Sequence, residues 1–261
     1  MGWNELGWNE LKNTDEEKQE EVIFKPLKEV RKGRGLKIGI YGDYATGKTH
    51  FALTCPEPIY ILDTENGVVP LAHNFEGKDI KVLDILEEDG SKSFNKIEKA
   101  INYIMTQEQK GTVIIDSVSD LWDFAQENAK VKVFKLNPMD RLKQQWDWGV
   151  INKMYLGIIQ RLVNSDFNII LTAREGEIYA GAGQPTNMVK PKWQKSTGFW
   201  VDYVIHNTKK IDKMGNINFY SSIEKSRSLK DIMGKVFPNL DYKTFINHIN
   251  KLKGGKNGNK E

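Results

Sequence analysis

Gly42-Asp43-Tyr44-Ala45-Thr46-Gly47-Lys48-Thr49 decides the fold. The stretch fits GxxxxGK[ST], follows the apolar run Leu36 to Tyr41, and precedes the helix-forming His50 to Leu53. A strand that runs into a glycine loop and then a helix is the setting in which this motif cradles phosphate. Gly42 and Gly47 let the backbone turn so that successive N–H groups face inward, and the start of the helix adds a favourable dipole for a β-phosphate. Lys48 supplies a point charge. Thr49 supplies a hydroxyl small enough to reach magnesium without displacing its water ligands. The nucleotide-contacting set is therefore Gly42, Asp43, Tyr44, Ala45, Thr46, Gly47, Lys48, Thr49 and His50, with ATP and Mg2+ as ligands. ATP is preferred to GTP because no guanine-reading NKxD stretch occurs. Asp43 is discordant, since a carboxylate beside a phosphate cradle is tolerable only if it turns out to solvent.

Outward from this loop, short β-branched runs alternate with helical patterns. Leu36 to Tyr41, Ile59 to Leu62, Ile80 to Leu83, Thr112 to Ile115, Asn168 to Thr172 and Val201 to Ile205 read as strands, several apolar on both faces. Ser93 to Met105 and Trp146 to Val163 have helical spacing. These patterns predict an α/β fold with a doubly wound, mainly parallel sheet flanked by helices. Val201 to Ile223, with a turn around Met214 to Asn216, predicts a C-terminal antiparallel hairpin.

Two acids stand at strand ends. Thr112-Val-Ile-Ile-Asp116 is an apolar strand closing on a carboxylate that fits a magnesium-holding role, against the alternative of a helix cap, for which Ser117 and Ser119 are better suited. Ile59 to Leu62 leads into Asp63-Thr-Glu65, just beyond the carboxyl end of the sheet, where open α/β folds gather their chemistry. By position alone, Glu65 is either a base for an attacking water or a solvated loop acid.

Composition sets the frame. With 261 residues and 39% apolar content, the chain can bury one substantial core. The sole cysteine, Cys55, rules out an internal disulfide and a multi-cysteine zinc site, and the four histidines show no metal-ligand spacing. A net charge of +3 does not by itself point to nucleic acid. No apolar run approaches the ~18 residues of a membrane span, so a cytoplasmic location with no membrane partner is expected. The chain opens with GWNEL at Gly2 to Leu6, repeated at Gly7 to Leu11, and then an acidic stretch from Asp15 to Glu21. Residues 1–21 are expected to be a flexible arm whose tryptophans could dock a protein partner, 22–250 the ATPase domain, and 251–261 a disordered basic tail.

GDYATGKT, a strand ending YILDTE, and TVIIDSVSDL, in that order, together resemble the RecA-like P-loop ATPase core, and the arrangement is similar to compact phage ATPases of single-strand annealing and recombination. The likeness runs from about Leu36 to Arg227. It implies that Glu65 is the catalytic glutamate. It also implies that Lys225 and Arg227, after Phe219 to Ile223, reach a neighbour's ATP as trans-acting fingers, so that activity needs a homo-oligomer, a ring or filament. Where the recombinases usually carry a glutamine, this chain has Arg174, expected to sense the γ-phosphate and to lie among the nucleic-acid contacts.

A surface for single-stranded DNA is sought in Glu175 to Gly198, which reads as a long irregular loop broken by Gly181, Gly183, Pro185 and Pro191. It gathers Lys190, Lys192, Trp193 and Lys195, cations for phosphates and an aromatic face for stacking. Lys130 to Trp148 is a second basic and aromatic stretch, but the spacing of Trp146, Ile151 and Tyr155 reads as core. The expected function is a magnesium-requiring, DNA-dependent ATPase acting in recombination, annealing or repair. A nucleotide-switched adaptor with negligible hydrolysis is the alternative, favoured by Asp43 and the missing glutamine. A small-molecule kinase ranks last.

Overall fold

The computed structural model describes Phe24, residues 34–142 and residues 144–255. The duplicated GWNEL, the acidic stretch, Lys143 and residues 256–261 lie outside the described residues. The compact unit that carries the site begins at Arg34.

Strands β1 (Lys37–Gly42), β2 (Ile59–Asp63) and β4 (Thr112–Asp116) are buried along their whole length. Alternation sorts their side chains. Ile38, Ile40, Ile59, Ile61 and Ile114 pack on one face of the sheet with Phe51 and Phe245, while Tyr60, Leu62, Val113 and Ile115 pack on the other with Phe94, Leu121 and Tyr155. Each such side chain contributes roughly 1.5–3 kcal/mol of burial, and with both faces covered the strands read as unbroken apolar runs.

The sheet order is β3-β2-β4-β5-β1-β7-β8-β9, with β3 (Ile80–Asp84), β5 (Asn168–Tyr179), β7 (Tyr203–Ile211), β8 (Ile217–Ser226) and β9 (Val236–Pro238). Pairing is parallel from β3 to β7 along that order and antiparallel from β7 through β9. The expected doubly wound, mainly parallel α/β class, with its C-terminal antiparallel hairpin, is the fold observed. Helices α2 (Gly90–Met105), α3 (Val118–Asn128) and α4 (Asp147–Val163) cover one face, and α1 (Lys48–Leu53) and α6 (Tyr242–Gly255) cover the other. Asp89 caps α2 by accepting from the Lys92 N–H, and Phe94, Ile97, Ile101 and Ile104 form its buried stripe. The β7–β8 turn is tied by Asp212, whose Oδ1 accepts from the N–H groups of Met214 and Asn216 at 2.8 and 2.9 Å.

Three local expectations are corrected. Glu175 to Gly198 is not one irregular loop: β5 runs on to Tyr179, turns through Gly181 to Gly183, and pairs antiparallel with β6 (Pro185–Pro191). Both prolines stand at the ends of an edge strand, where a missing N–H disrupts no ladder. The four-residue α5 (Thr197–Trp200) follows. Trp146 is not core but stands exposed just before α4, while Ile151 and Tyr155 are buried as expected. Finally, α6 continues to Gly255, into the stretch read as tail, because Leu252 extends the apolar stripe of Phe245 and Ile249.

Candidate functional site

β1 ends at Gly42, and the loop that follows wraps into α1. Gly42 is required by close approach, since a Cβ there would stand 2.2 Å from the Asn207 carbonyl oxygen. Gly47 is required by conformation: its φ is +82°, in the left-handed region, and a Cβ would meet nothing within 4 Å. Thr46, buried, donates its hydroxyl to the Asp43 carbonyl at 2.8 Å, and the Asn207 amide donates to the Thr46 carbonyl at 3.2 Å. The loop is thus held from β7 as well as from within. Asp43 and Tyr44 are exposed, so the discordant carboxylate does turn to solvent. Lys209 of β7 donates to the Tyr44 carbonyl at 2.8 Å and lies over the Tyr44 ring at 3.9 Å. His50 is exposed, tilted against Phe75 at 5.3 Å.

Lys48 Nζ donates to the carbonyls of Gly42 (3.0 Å) and Asp43 (2.7 Å), inside the turn of the loop. Burial lowers its pKa, and the carboxylates of Asp116 and Glu65 oppose that shift. Thr49 Oγ1 donates to Asp116 Oδ2 at 2.6 Å, and Thr172 donates to Asp116 Oδ1. Asp116 is almost fully buried. Burial raises its pKa, the two threonine hydroxyls work against the rise, and Glu65 and Asp63 add to it. A cation at this point would relieve the buried charge. Thr49 and Asp116 are the residues that fit magnesium, which takes one or two protein oxygens and completes its shell with water and phosphate. Among the described residues, no group of three or more His, Cys, Asp or Glu side chains is placed to hold a metal unaided.

Glu65 follows β2 in a turn built on Asp63. The Asp63 carboxylate accepts from the N–H groups of Glu65 (3.1 Å), Gly67 (3.2 Å) and Val68 (3.1 Å), which fixes the turn that presents Glu65. Arg174 Nε donates to Glu65 Oε1 at 2.8 Å, and its NH2 group lies 2.8 Å from Asp120. Residues 44–50 and Glu65 line one cleft of about 570 Å³, closed by Leu71, Asn207, Phe219, Ser221, Asn239 and Leu240. Sequence reasoning missed the partners that hold the site: Thr172, Asp120 and Asn207. Thr172 was visible as the polar residue closing the apolar run Ile169 to Leu171, whereas Asp120 and Asn207, the latter between His206 and Thr208, had no such mark.

The other expected residues lie elsewhere. Trp193 is half-buried, its ring packed against the core so that a Cβ on Gly39 would come within 2.6 Å of it. Lys190, Lys192 and Lys195 are exposed. Lys225 Nζ donates to the carbonyls of Gly198 (2.5 Å) and Val201 (2.7 Å), and Arg227 donates to the Phe199 carbonyl. Both cations therefore cap the carboxyl end of α5 in their own chain. The β7–β8 register, Val204 with Lys225 and Asn207 with Ser221, sets them at the end of the sheet away from the phosphate loop.

The exposed aromatic and basic surface lies in the other stretch. Trp146, Trp148 and Met139 are 75%, 42% and 94% exposed, and Lys132, Lys135 and Arg141 are exposed beside them in sequence. No helix among the described residues is long and apolar enough to cross a membrane.

Residues 34–230 match a family described as an AAA domain, AAA_24. No curated protein sequence matches. Among solved structures, the chain is similar to the flagellar accessory protein FlaH from Methanocaldococcus jannaschii at 11% identity, covering 79% of this chain and 85% of that one with a TM-score of 0.40.

Proposed function

As the chain belongs to the AAA domain family AAA_24, we propose that it binds and hydrolyses ATP with magnesium and that single-stranded nucleic acid governs the rate. The observation that supports this most is the 2.6 Å contact of Thr49 Oγ1, which lines the cleft together with Lys48 and Glu65, with Asp116 Oδ2 behind it. Three separate segments supply one phosphate loop, one cation site and one water-holding acid. Lys48 and the loop N–H groups would bind the β- and γ-phosphates, and Glu65 would orient the attacking water. As water oxygen bonds to the γ-phosphorus, the bond to the bridging oxygen breaks, ADP departs with that electron pair, and Glu65 takes the water proton. Magnesium, held by Thr49 and Asp116, would neutralise charge developing on the phosphate oxygens. Leu71, Phe219 and Leu240 offer the apolar wall against which a base would lie.

For nucleic acid, this reading moves the expected surface from Trp193 to the stretch before α4. Exposed Trp146 and Trp148 give stacking faces, and Lys132, Lys135 and Arg141 give phosphate contacts. Lys190 near the end of β6 and Lys195 beyond it add exposed cations. Assembly into a ring or filament, with Lys225 or Arg227 acting on a neighbour's ATP, would require both cations to leave the α5 carbonyls. Annealing, recombination or repair is the setting we propose for such a DNA-governed ATPase.

The test is steady-state ATP hydrolysis with and without single-stranded DNA at low and moderate salt. Stimulation that weakens as salt rises, and a Glu65→Gln variant reduced by about a hundredfold, are expected. Hydrolysis indifferent to DNA together with no DNA binding at low salt would contradict the nucleic-acid half of the proposal.

A further inference from the structure

Glu65, the acid assigned to the attacking water, is engaged by a cation. Its Oε1 accepts from Arg174 Nε at 2.8 Å and lies 2.7 Å from the NH2 group of the same guanidinium. That guanidinium also reaches Asp120, at 2.8 Å from Oδ1 and 3.0 Å from Oδ2. Asp120 is itself fixed, accepting from the Thr64 hydroxyl at 2.7 Å and the Ser117 hydroxyl at 3.0 Å. Arg174 pairs in register with Gly42 across β1 and β5. Neighbouring strands lie about 4.8 Å apart, so the side chain springs from beside the first residue of the phosphate loop and is long enough to reach its contents.

We propose that Arg174 is an internal restraint on Glu65, a positioning residue that rests on Glu65 and Asp120 until a nucleoside triphosphate enters and then moves its guanidinium to the γ-phosphate. The inference rests on the ATP-binding reading above. The γ-phosphate gathers on one group the negative charge that Glu65 and Asp120 otherwise divide between them, and presents oxygens that match a guanidinium fork, so it competes for Arg174 where the shorter ADP does not. Release frees Glu65 Oε1 to hold water. Glu65 is thereby freed by the triphosphate it acts on.

The same residue is tied to the β5–β6 hairpin. Its N–H donates to Ser119 Oγ at 3.0 Å, Ser119 Oγ donates to the Lys192 carbonyl at 2.6 Å, and the Lys192 N–H donates to the Arg174 carbonyl at 2.7 Å. These bonds anchor the Arg174 backbone at the base of the hairpin, so that its side chain can move while its main chain stays in place.

The experiment measures equilibrium binding of ATPγS and of ADP, with magnesium, to the full chain and to Lys48→Ala, Arg174→Ala and Asp120→Asn. Arg174→Ala removes the γ-phosphate contact, so ATPγS affinity falls about tenfold while ADP affinity holds. Asp120→Asn weakens only the resting position, so ATPγS affinity rises several-fold with ADP again unchanged. Opposite signs on one ratio are the signature; an ion pair that merely braces the fold would shift ATPγS and ADP binding together. If Arg174→Ala does not fold, Arg174→Lys, which keeps the charge but not the fork, takes its place with the same sign expected. ATPγS binding that is lost in Lys48→Ala, with the ATPγS to ADP ratio unmoved or moved in one direction by both Arg174 and Asp120 variants, overturns this inference alone. Wild-type protein that binds ATPγS no better than Lys48→Ala overturns the site reading and the inference with it.

Discussion

Gly42 and Gly47 bend the same loop for different reasons, and alanine separates them. At Gly47 the left-handed backbone costs about 1–2 kcal/mol for any residue with a Cβ, but there is room for the methyl. At Gly42 a methyl would collide with the Asn207 carbonyl at 2.2 Å, and neither backbone can give way without moving β7. Gly42→Ala should therefore lose nucleotide affinity and thermal stability together, whereas Gly47→Ala should fold with a modest loss; titration and a melting curve on each variant check this. Lys37 offers a pH test. It is buried at the start of β1, donating to the carbonyls of Ser165 (2.9 Å) and Phe167 (2.5 Å), and burial lowers its pKa from 10.5 to about 8, with Arg34 lowering it further and Asp202 and Asp166 opposing. Below about pH 8 both folded and unfolded chains carry the charge, and the folded state bears its burial penalty in full. Between about 8 and 10.5 the unfolded chain binds more protons, so this group makes stability rise with pH, by a few kcal/mol at most. The Cys55 thiol and the Tyr155 phenol, both pushed up by burial, act in the opposite sense once their unfolded counterparts ionise near 9.0 and 10.0. The clean readout is the difference between wild type and Lys37→Met, which should widen in favour of wild type from pH 8 to 9 in urea unfolding.

The elements built from runs buried on both faces were legible in the sequence, because β1, β2, β4 and the start of β5 meet only apolar neighbours above and below. The β5–β6 hairpin was not. Gly181, Gly183, Pro185 and Pro191 read as breaks, and only the three-dimensional pairing shows that β6 is an edge strand that tolerates them. Trp146, expected in the core, is exposed, and Trp193, expected on the surface, is half-buried, because burial depends on what lies across the sheet. Trp193 lies under Gly39, a partner far away in sequence that leaves a hollow for the ring, while Trp146 stands exposed just before α4. The candidate site divides the same way. Lys48, Thr49, Glu65 and Asp116 sit at strand ends and loop positions that a pattern marks, whereas Asp120 becomes part of the site only because α3 starts beside Arg174. This contrast gives a paired prediction. Trp193→Ala should cost roughly 3–5 kcal/mol of stability, as for a large core truncation. Trp146→Ala should leave the melting temperature within a degree or two and weaken single-stranded DNA binding by about 1–3 kcal/mol.

Across the whole molecule, parallel strands aim their carboxyl ends at one edge, and that edge carries everything the proposed chemistry uses. β1 delivers the phosphate loop, β2 the turn with Glu65, β4 Asp116, β5 Thr172 and Arg174, and β7 the Asn207 that steadies the loop. The antiparallel β8 reverses direction, and so places Lys225 and Arg227 at the opposite edge, against α5. One sheet thus has a nucleotide edge and a second edge whose cations are committed to carbonyls of their own chain. The most direct test of the central claim is the steady-state rate of magnesium-dependent ATP hydrolysis by wild type and Lys48→Ala, measured side by side after each is shown to be folded. The account predicts turnover in the wild type that falls by about a hundredfold in Lys48→Ala. Equal rates in the two proteins would contradict it, because the nucleotide would then be turned over somewhere other than this loop.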